Sequence, residues 1–272
     1  MTLVSDTHLS ADAPGGDANW AAVVDHVAAH QPDLVIHVGD LTLAGSDKRS
    51  DLEFGRAALD SLGAPWRAVP GNHDIGDNPW RGAPAHYLVD AARHALWLAT
   101  IGPDRFTLEI AGWLVVALDA QLFGSGLPAE SEQWRWLETN LRADDARPLL
   151  LITHKPMAAP ADELVAAPEH RFMQSEARAR LTALLGPRQV VVVSGHVHQH
   201  RVLHVDGRAH VWAPTTWAVI PEDVQPTFGT KRCGILSLTL HEDGEFETAI
   251  VEPTGLAQQM LGVDIPNPYV GH

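Results

Sequence analysis

Five short apolar runs in this chain of 272 residues each lead directly into Asp, His or Asn residues. They occupy residues 3–5, 34–38, 66–69, 149–153 and 190–194. The runs are rich in Val, Leu and Ile, which is typical of buried strands in a parallel sheet. Because ligands of open α/β sheets bind outside the carboxyl ends of the strands, the polar residues after these runs are expected to meet in one crevice.

The polar residues after the runs have side chains that bind metal ions. A single His on a strand is more often a core residue than a ligand, but here such residues recur after several strands. A mixture of carboxylate, imidazole and amide oxygen suits Mn, Fe, Zn or Co, whereas an all-oxygen set would suit Mg or Ca. The only cysteine, Cys233, lies outside these groups, so thiolate ligation is not expected. The candidate ligands are Asp6, His8, Asp40, Asn72, His154, His196 and His198.

In order and spacing, these groups resemble the signature of the calcineurin-like metallophosphoesterases. The resemblance runs from about residue 3 to residue 198 and rests on Asp6-Thr7-His8, Gly39-Asp40, Gly71-Asn72-His73-Asp74, His154 and Gly195-His196-Val197-His198. It implies a four-layer αββα sandwich of two mixed β-sheets flanked by helices. The pattern of the chain agrees, because strands and helices alternate in the first half and a strand hairpin with an Asp206-Gly207 turn follows later.

The resemblance also implies two metal ions, either both divalent or a mixed-valence pair, with Mn, Fe and Zn the expected ones. Asp6, His8, Asp40 and His198 would hold the first ion, while Asp40, Asn72, His154 and His196 would hold the second. Asp40 would then bridge the ions, because its two carboxylate oxygens can face different metals. A hydroxide between the ions would attack phosphorus from the side opposite the leaving oxygen.

His73 resembles the family's catalytic histidine, which binds no metal. It would protonate the leaving oxygen or stabilise the charge that develops there. Asp74 would assist catalysis by orienting the His73 ring. The alternative for Asp74 is a turn residue before Ile75-Gly76.

Charge and subgroup motifs narrow the expected substrate. With 19 Lys and Arg against 34 Asp and Glu, the net charge of −15 disfavours a nucleic acid polymer as partner and favours a small phosphate ester. Leu43-Ala44 and Pro70 stand where the Ser/Thr protein phosphatase branch has an Asp-Arg pair and an Arg, which argues against membership of that branch. The nearest resemblance is to class III cyclic-nucleotide phosphodiesterases and glycerophosphodiesterases, through Ser5-Asp6-Thr7-His8-Leu9 and Gly39-Asp40-Leu41. We therefore predict a phosphodiesterase, with a small-molecule phosphomonoesterase as one alternative and a non-catalytic binding scaffold as a remote one.

The chain is expected to form one catalytic domain over residues 1–252, followed by a tail over residues 253–272. The tail would pack on the domain or on a second subunit in a homodimer. Residues 157–174 follow a candidate ligand and are a candidate lid, and Ser131 and Ser175 are expected to cap helices. No apolar run is long enough to span a membrane, and a single cysteine fits a reducing compartment. With Asp6 so close to Met1 leaving no room for a signal peptide, we expect a cytoplasmic protein, whose natural start codon lies either at Met1 or upstream.

Overall fold

The structure, a computed structural model, describes residues 1–13, 15–166 and 168–266. Its strands are β1 (Thr2–Val4), β2 (Val35–His37), β3 (Trp66–Ala68), β4 (Phe106–Ile110), β5 (Trp113–Leu118), β6 (Leu149–Thr153), β7 (Val190–Ser194), β8 (Arg201–Val205), β9 (Arg208–Trp212), β10 (Ile235–Leu240) and β11 (Phe246–Val251). Its α-helices are α1 (Asp17–His30), α2 (Arg49–Asp60), α3 (Asn72–Ile75), α4 (Ala91–Thr100), α5 (Pro128–Asn140), α6 (Ala161–Ala166) and α7 (Ser175–Leu185).

The strands of the described residues form two mixed sheets. One has the order β11-β10-β1-β2-β3, in which β1, β2 and β3 are parallel and β10 runs antiparallel to β1. The other has the order β4-β5-β6-β7-β9-β8, in which β5, β6, β7 and β9 are parallel. The five apolar runs correspond to parallel strands of these sheets. All five runs therefore end at the edge where the carboxyl ends of the parallel strands lie.

The two sheets pack face to face, and helices cover their outer sides. Buried side chains of both sheets, among them Ile36, Val115 and Leu150, form one apolar cluster between the sheets. A second cluster joins the outer face of the β5-β6-β7 sheet to α5 and α7, and a third joins the β1-β2 sheet to α1, α2 and α4. The αββα sandwich is therefore confirmed.

Helix starts differ from the predicted caps. Helix α5 begins at Pro128, with Leu127 as the N-cap residue, and Ser131 lies inside the helix. A proline is favourable at the first helical position because its missing N–H has no partner there in any case. Ser175 is the first residue of α7, and Gln174 takes the N-cap position.

The described part of the predicted tail packs on the domain. The Ala257 N–H donates to Asn19 Oδ1 in α1 at 2.7 Å, and Leu261 is buried in an apolar cluster with Trp217 and Ala218. Residues 267–272 lie outside the described residues. In the part of the chain that is described, no helix combines the length and the apolar character needed to cross a membrane.

Leu150→Ala should test the core between the sheets. Leu150 is fully buried there, so we expect the substitution to lower the free energy of unfolding by about 2–5 kcal/mol. Leu98→Ala is the matched control, because Leu98 on α4 is 43% exposed and its loss should change the unfolding free energy by less than about 0.5 kcal/mol. Urea denaturation measures both, and equal losses would contradict this assignment of the core.

Candidate metal centre

The candidate ligands gather at the carboxyl ends of five strands, as the sequence predicts. Asp6 and His8 follow β1, Asp40 follows β2, Asn72 begins α3 after β3, His154 directly follows β6, and His196 and His198 follow β7. The loops after β1 and β2 are joined by backbone hydrogen bonds, because the N–H groups of Thr7 and His8 both donate to the Asp40 carbonyl, at 3.0 and 3.1 Å. Side chains from both sheets therefore converge on one crevice.

Most of these ligand residues have left-handed backbones. The φ angles of Asp6, His8, Asp40, His196 and His198 are 53°, 45°, 52°, 70° and 52°. Such conformations are rare for residues with a Cβ and each costs about 1–3 kcal/mol, so they persist only where the surroundings impose them. Here the sharp turn after each strand brings the side chain into the crevice.

Two motif glycines lie against the ligands. Gly39 has a φ of 102°, and a Cβ there would clash with the His154 ring. A Cβ on Gly71 would clash with the carboxylate and backbone nitrogen of Asp40. These positions require glycine because the backbone approaches the ligand side chains too closely for any other residue.

The first group consists of Asp6, His8, Asp40 and His198, whose ligand atoms lie within 4.8 Å of one another. The Nε2 atoms of His8 and His198 are 3.2 Å apart. Nε2 of His198 is 3.5 Å from Asp6 Oδ1, and Nε2 of His8 is 3.8 Å from Asp40 Oδ2. All four side chains are buried, so water does not shield the carboxylates from each other.

The second group shares Asp40 with the first. Asp40, His154 and His196 have ligand atoms within 4.8 Å of one another. Nε2 of His154 lies 3.3 Å from Asp40 Oδ2 and 3.3 Å from Asn72 Oδ1, so the amide oxygen of Asn72 also lies beside this group. The structure thus brings together all seven candidate ligands in two sets joined by one carboxylate.

Backbone carbonyls select the nitrogen that His154 and His198 present to the centre. The Nδ1–H of His154 donates to Val38 O at 2.9 Å, and the Nδ1–H of His198 donates to Ala218 O at 2.6 Å. In the neutral ring this leaves Nε2 without a proton, as a metal ligand requires. Both Nε2 atoms are the ones that face the carboxylates.

His196 is held in the opposite tautomer. Its Nε2–H donates to the carbonyl of His170 at 3.2 Å, and its buried Nδ1 has no hydrogen-bond partner among the described residues. A buried acceptor without a partner is costly unless a ligand satisfies it. Together with the facing nitrogens of His8 and His198, this orphaned atom shows that the residues present fit two cations.

The electrostatics of the centre agree with this fit. Burial raises the pKa of Asp6. Burial acts in the same direction on Asp40, but the neighbouring His154 and His73 outweigh it and hold the pKa of Asp40 well below its usual range. The negative charge of Asp40 raises the pKa of His154 to about 9 against the opposing effect of burial. The Asp40 carboxylate therefore requires positive charge beside it.

His73 lies beside the centre, but Asp74 does not have the predicted contact. The Nδ1–H of His73 donates to Leu43 O at 2.9 Å, so this carbonyl orients the ring. The Asp74 carboxylate instead accepts from the N–H of Leu41 and of Thr42 and from the Thr42 hydroxyl, at 3.1, 2.8 and 2.7 Å. It also accepts from Gly71 N–H, so Asp74 ties the Asp40 loop to the start of α3. The prediction that Asp74 orients His73 is wrong, because those hydrogen bonds occupy its buried oxygens.

Comparisons with known proteins identify the family. The family model for calcineurin-like phosphoesterases matches residues 1–200. This chain belongs to the calcineurin-like phosphoesterase family. Members of the family use a dinuclear centre of divalent metal ions, and the two groups described above are residues of this chain that could hold such ions.

Curated relatives of the phosphoesterase carry phosphodiesterase names. It is 29% identical over 258 residues to the 3',5'-cyclic adenosine monophosphate phosphodiesterase CpdA of Escherichia coli strain K12, covering 91% of this chain and 87% of that protein. It is also 29% identical over 217 residues to the probable glycerophosphodiester phosphodiesterase GpdQ of Arcobacter nitrofigilis, covering 74% of this chain and 72% of that protein.

Solved structures share the fold. Purple acid phosphatase PPD1 from yellow lupin seeds aligns with a TM-score of 0.60 at 16% identity, over 95% of this chain and 55% of that one. This chain thus spans about half the length of the lupin enzyme. A dimetal phosphatase from Danio rerio aligns with a TM-score of 0.57 at 15% identity, over 92% of this chain and 98% of that one. At such identities the similarity concerns the architecture.

Sequence reasoning missed a buried polar cluster of Lys155, Asp77 and Asn78, which lies next to the candidate ligand His154 in this phosphoesterase. Lys155, next to His154, is fully buried, and its ammonium donates to the side-chain oxygens of Asp77 and Asn78. Burial lowers the pKa of Lys155, although Asp77 acts to raise it. The signal in the sequence was a lysine only two residues after an apolar strand and next to a candidate ligand, since lysine is almost never buried without a partner.

Asp40→Ala should separate a shared centre from two independent sites. Removing the shared carboxylate takes a ligand from both groups. We therefore expect the metal content of the Mn-reconstituted protein to fall from about two ions per chain to fewer than about one. Asp25→Ala, on the exposed face of α1, is the control and should keep the wild-type content. Elemental analysis after dialysis measures both, and two retained ions in Asp40→Ala would contradict the assignment.

Proposed function

We propose that this phosphoesterase hydrolyses small phosphodiesters of the cyclic nucleotide or glycerophosphodiester type. The observation that carries the proposal is that two groups of candidate ligands share one buried carboxylate, that of Asp40. The names of its curated relatives, a cyclic AMP phosphodiesterase and a probable glycerophosphodiesterase, support the substrate class. The net charge of −15 disfavours a nucleic acid polymer as substrate.

The proposed ligand sets are the two groups described above. Asp6, His8, Asp40 and His198 would hold one ion, and Asp40, Asn72, His154 and His196 would hold the other. When bound, two divalent ions would supply Lewis acidity toward the phosphoryl oxygens and lower the pKa of water. The mixture of nitrogen and oxygen donors favours Mn, Fe or Zn.

The proposed catalytic residue is His73. Its Nδ1–H is bound to the Leu43 carbonyl, so Nε2 is the atom with which the ring would hold a proton for the leaving oxygen. The ring lines a cavity of about 580 Å³ together with Asn72, and this shared lining supports a contact between His73 and a bound substrate. Asp74 supports this arrangement indirectly by bracing the loop that contains Asp40.

We further infer a cytoplasmic location, which the single free and buried thiol of Cys233 supports. A homodimer also remains our proposal.

Hydrolysis of bis(p-nitrophenyl) phosphate beside p-nitrophenyl phosphate tests the proposed activity. The Mn-reconstituted protein should prefer the diester in kcat/KM, and Asp40→Ala should show no turnover. Preference for the monoester would move the assignment to phosphomonoesterases, and inactivity with Mn, Fe and Zn would leave only a binding scaffold.

His73→Ala should lower kcat while both metal ions stay bound, because His73 is not among the ligands. With a poor leaving group such as an alkoxide, loss of a proton donor should reduce kcat by about 10²- to 10⁴-fold. With p-nitrophenolate, which leaves without a proton, the loss should be much smaller. His204→Ala, at an exposed position, is the control. Equal losses for both leaving groups would exclude the acid role.

A further inference from the structure

Aromatic side chains line one part of the cavity beside the metal centre. The cavity has a volume of about 580 Å³, within the usual range for small-molecule sites. Asn72 and His73 belong to its lining, and so do Trp80, Tyr87 and His170. A substrate whose phosphate lies at the metal centre would therefore have its remaining part within reach of these rings.

Trp80 is placed by a rigid segment. Asp77 and Asn78 are held by the buried ammonium of Lys155, which directly follows the candidate ligand His154. The Gln174 amide at the end of the candidate lid donates to the carbonyl of Pro79. The three residues before Trp80 are thus anchored by the side chains of Lys155, next to a candidate ligand, and of Gln174, in the candidate lid.

Tyr87 is tied to the same segment. The Asp77 N–H donates to Tyr87 O, and the Val89 N–H donates to Asp77 O, each at 2.7 Å. These hydrogen bonds fix the backbone of the Tyr87 loop while its side chain remains 48% exposed. Trp80 and Tyr87 therefore belong to one preorganised unit, which reduces the conformational entropy lost when a ligand binds.

His170 completes the aromatic lining and links it to the metal centre. Its ring centroid is 5.0 Å from that of Trp80, with an interplanar angle of 45°. Its carbonyl accepts the Nε2–H of His196, which orients that candidate ligand. The lid thus contributes one ring to the cavity and one hydrogen bond to the centre from the same residue.

The chemistry of this lining discriminates between the two substrate types. A planar heteroaromatic base gains stacking energy on Trp and Tyr rings, whereas a glycerol arm has no π-face and needs hydrogen-bond partners instead. On the basis of the proposed phosphodiesterase activity, we propose that Trp80, Tyr87 and His170 form a subsite for the base of a nucleotide. Nucleotide diesters are then the preferred substrates over glycerophosphodiesters.

Direct binding tests the subsite without turnover. The probes are phosphonate analogues of AMP and of ribose 5-phosphate, in which a carbon replaces the ester oxygen, and isothermal titration to the Mn-reconstituted protein gives each Kd. The base should tighten binding by about 5- to 150-fold. Trp80→Ala and Tyr87→Ala should each reduce this ratio, while Trp80→Phe should retain most of it.

Trp66→Ala is the matched control, because Trp66 lies on β3 and lines a different cavity. It should leave the ratio at the wild-type value. Equal Kd values for the two analogues in the wild-type protein would overturn the proposal. An undiminished ratio in folded Trp80→Ala and Tyr87→Ala would also overturn it. Because the Tyr87 side chain is exposed, Tyr87→Ala is expected to fold even if Trp80→Ala does not.

Steady-state kinetics distinguish a failure of the base subsite from a failure of the proposed phosphodiesterase activity. Trp80→Ala should raise KM for 3',5'-cyclic AMP and leave KM for glycerophosphoethanolamine unchanged. An equal rise for both would overturn the base subsite although the diesterase activity stands. If the wild-type protein hydrolyses neither diester, the proposed function fails, and the binding ratio alone decides the subsite.

Discussion

The buried carboxylate of Asp40 is the constraint on which the rest of the site depends. Its Oδ1 accepts the N–H of His73 at 2.8 Å, while its Oδ2 faces His154 and His8 from the two groups. An ionised carboxylate with almost no exposure is unfavourable unless positive charge or hydrogen bonds compensate it. The left-handed backbone at Asp40 and the glycine at position 71 allow this carboxylate to lie where the carboxyl ends of the two sheets meet.

Around Asp40, the imidazoles of His154, His198 and His196 are each oriented by a carbonyl from a different part of the chain. Val38 belongs to the loop after β2, Ala218 to the segment that the C-terminal residues cover, and His170 to the candidate lid. Because these partners set the tautomer, a change in the candidate lid reaches His196 through one hydrogen bond, and a change in the tail reaches His198 through the segment that contains Ala218. The metal centre and the proposed base subsite are therefore parts of one connected structure.

The shared fold does not by itself decide the substrate. Structures with similar architecture include a purple acid phosphatase and a dimetal phosphatase, and the curated relatives have names that refer to two different diesters. Substrate choice depends on side chains in loops outside the strands. In this chain those loops contain Trp80, Tyr87 and His170, and the segment before Trp80 is held by the hydrogen bonds of Lys155 and Gln174.

The sequence alone indicated the five strands before the candidate ligands and the kind of side chain at their ends. Buried parallel strands appear as continuous apolar runs, and the candidate ligands that follow them meet because neighbouring parallel strands end at the same edge of a sheet. The runs at 149–153 and 190–194 therefore match β6 and β7 in their bounds. Only the tertiary structure decided which carbonyls orient the imidazoles of His154, His196 and His198. It also decided that Asp74 accepts hydrogen bonds from the Asp40 loop, while the Leu43 carbonyl orients His73. The start of α5 at Pro128 is a third such feature. Those features depend on contacts between residues far apart in the chain, which local patterns of hydrophobicity and capping do not encode.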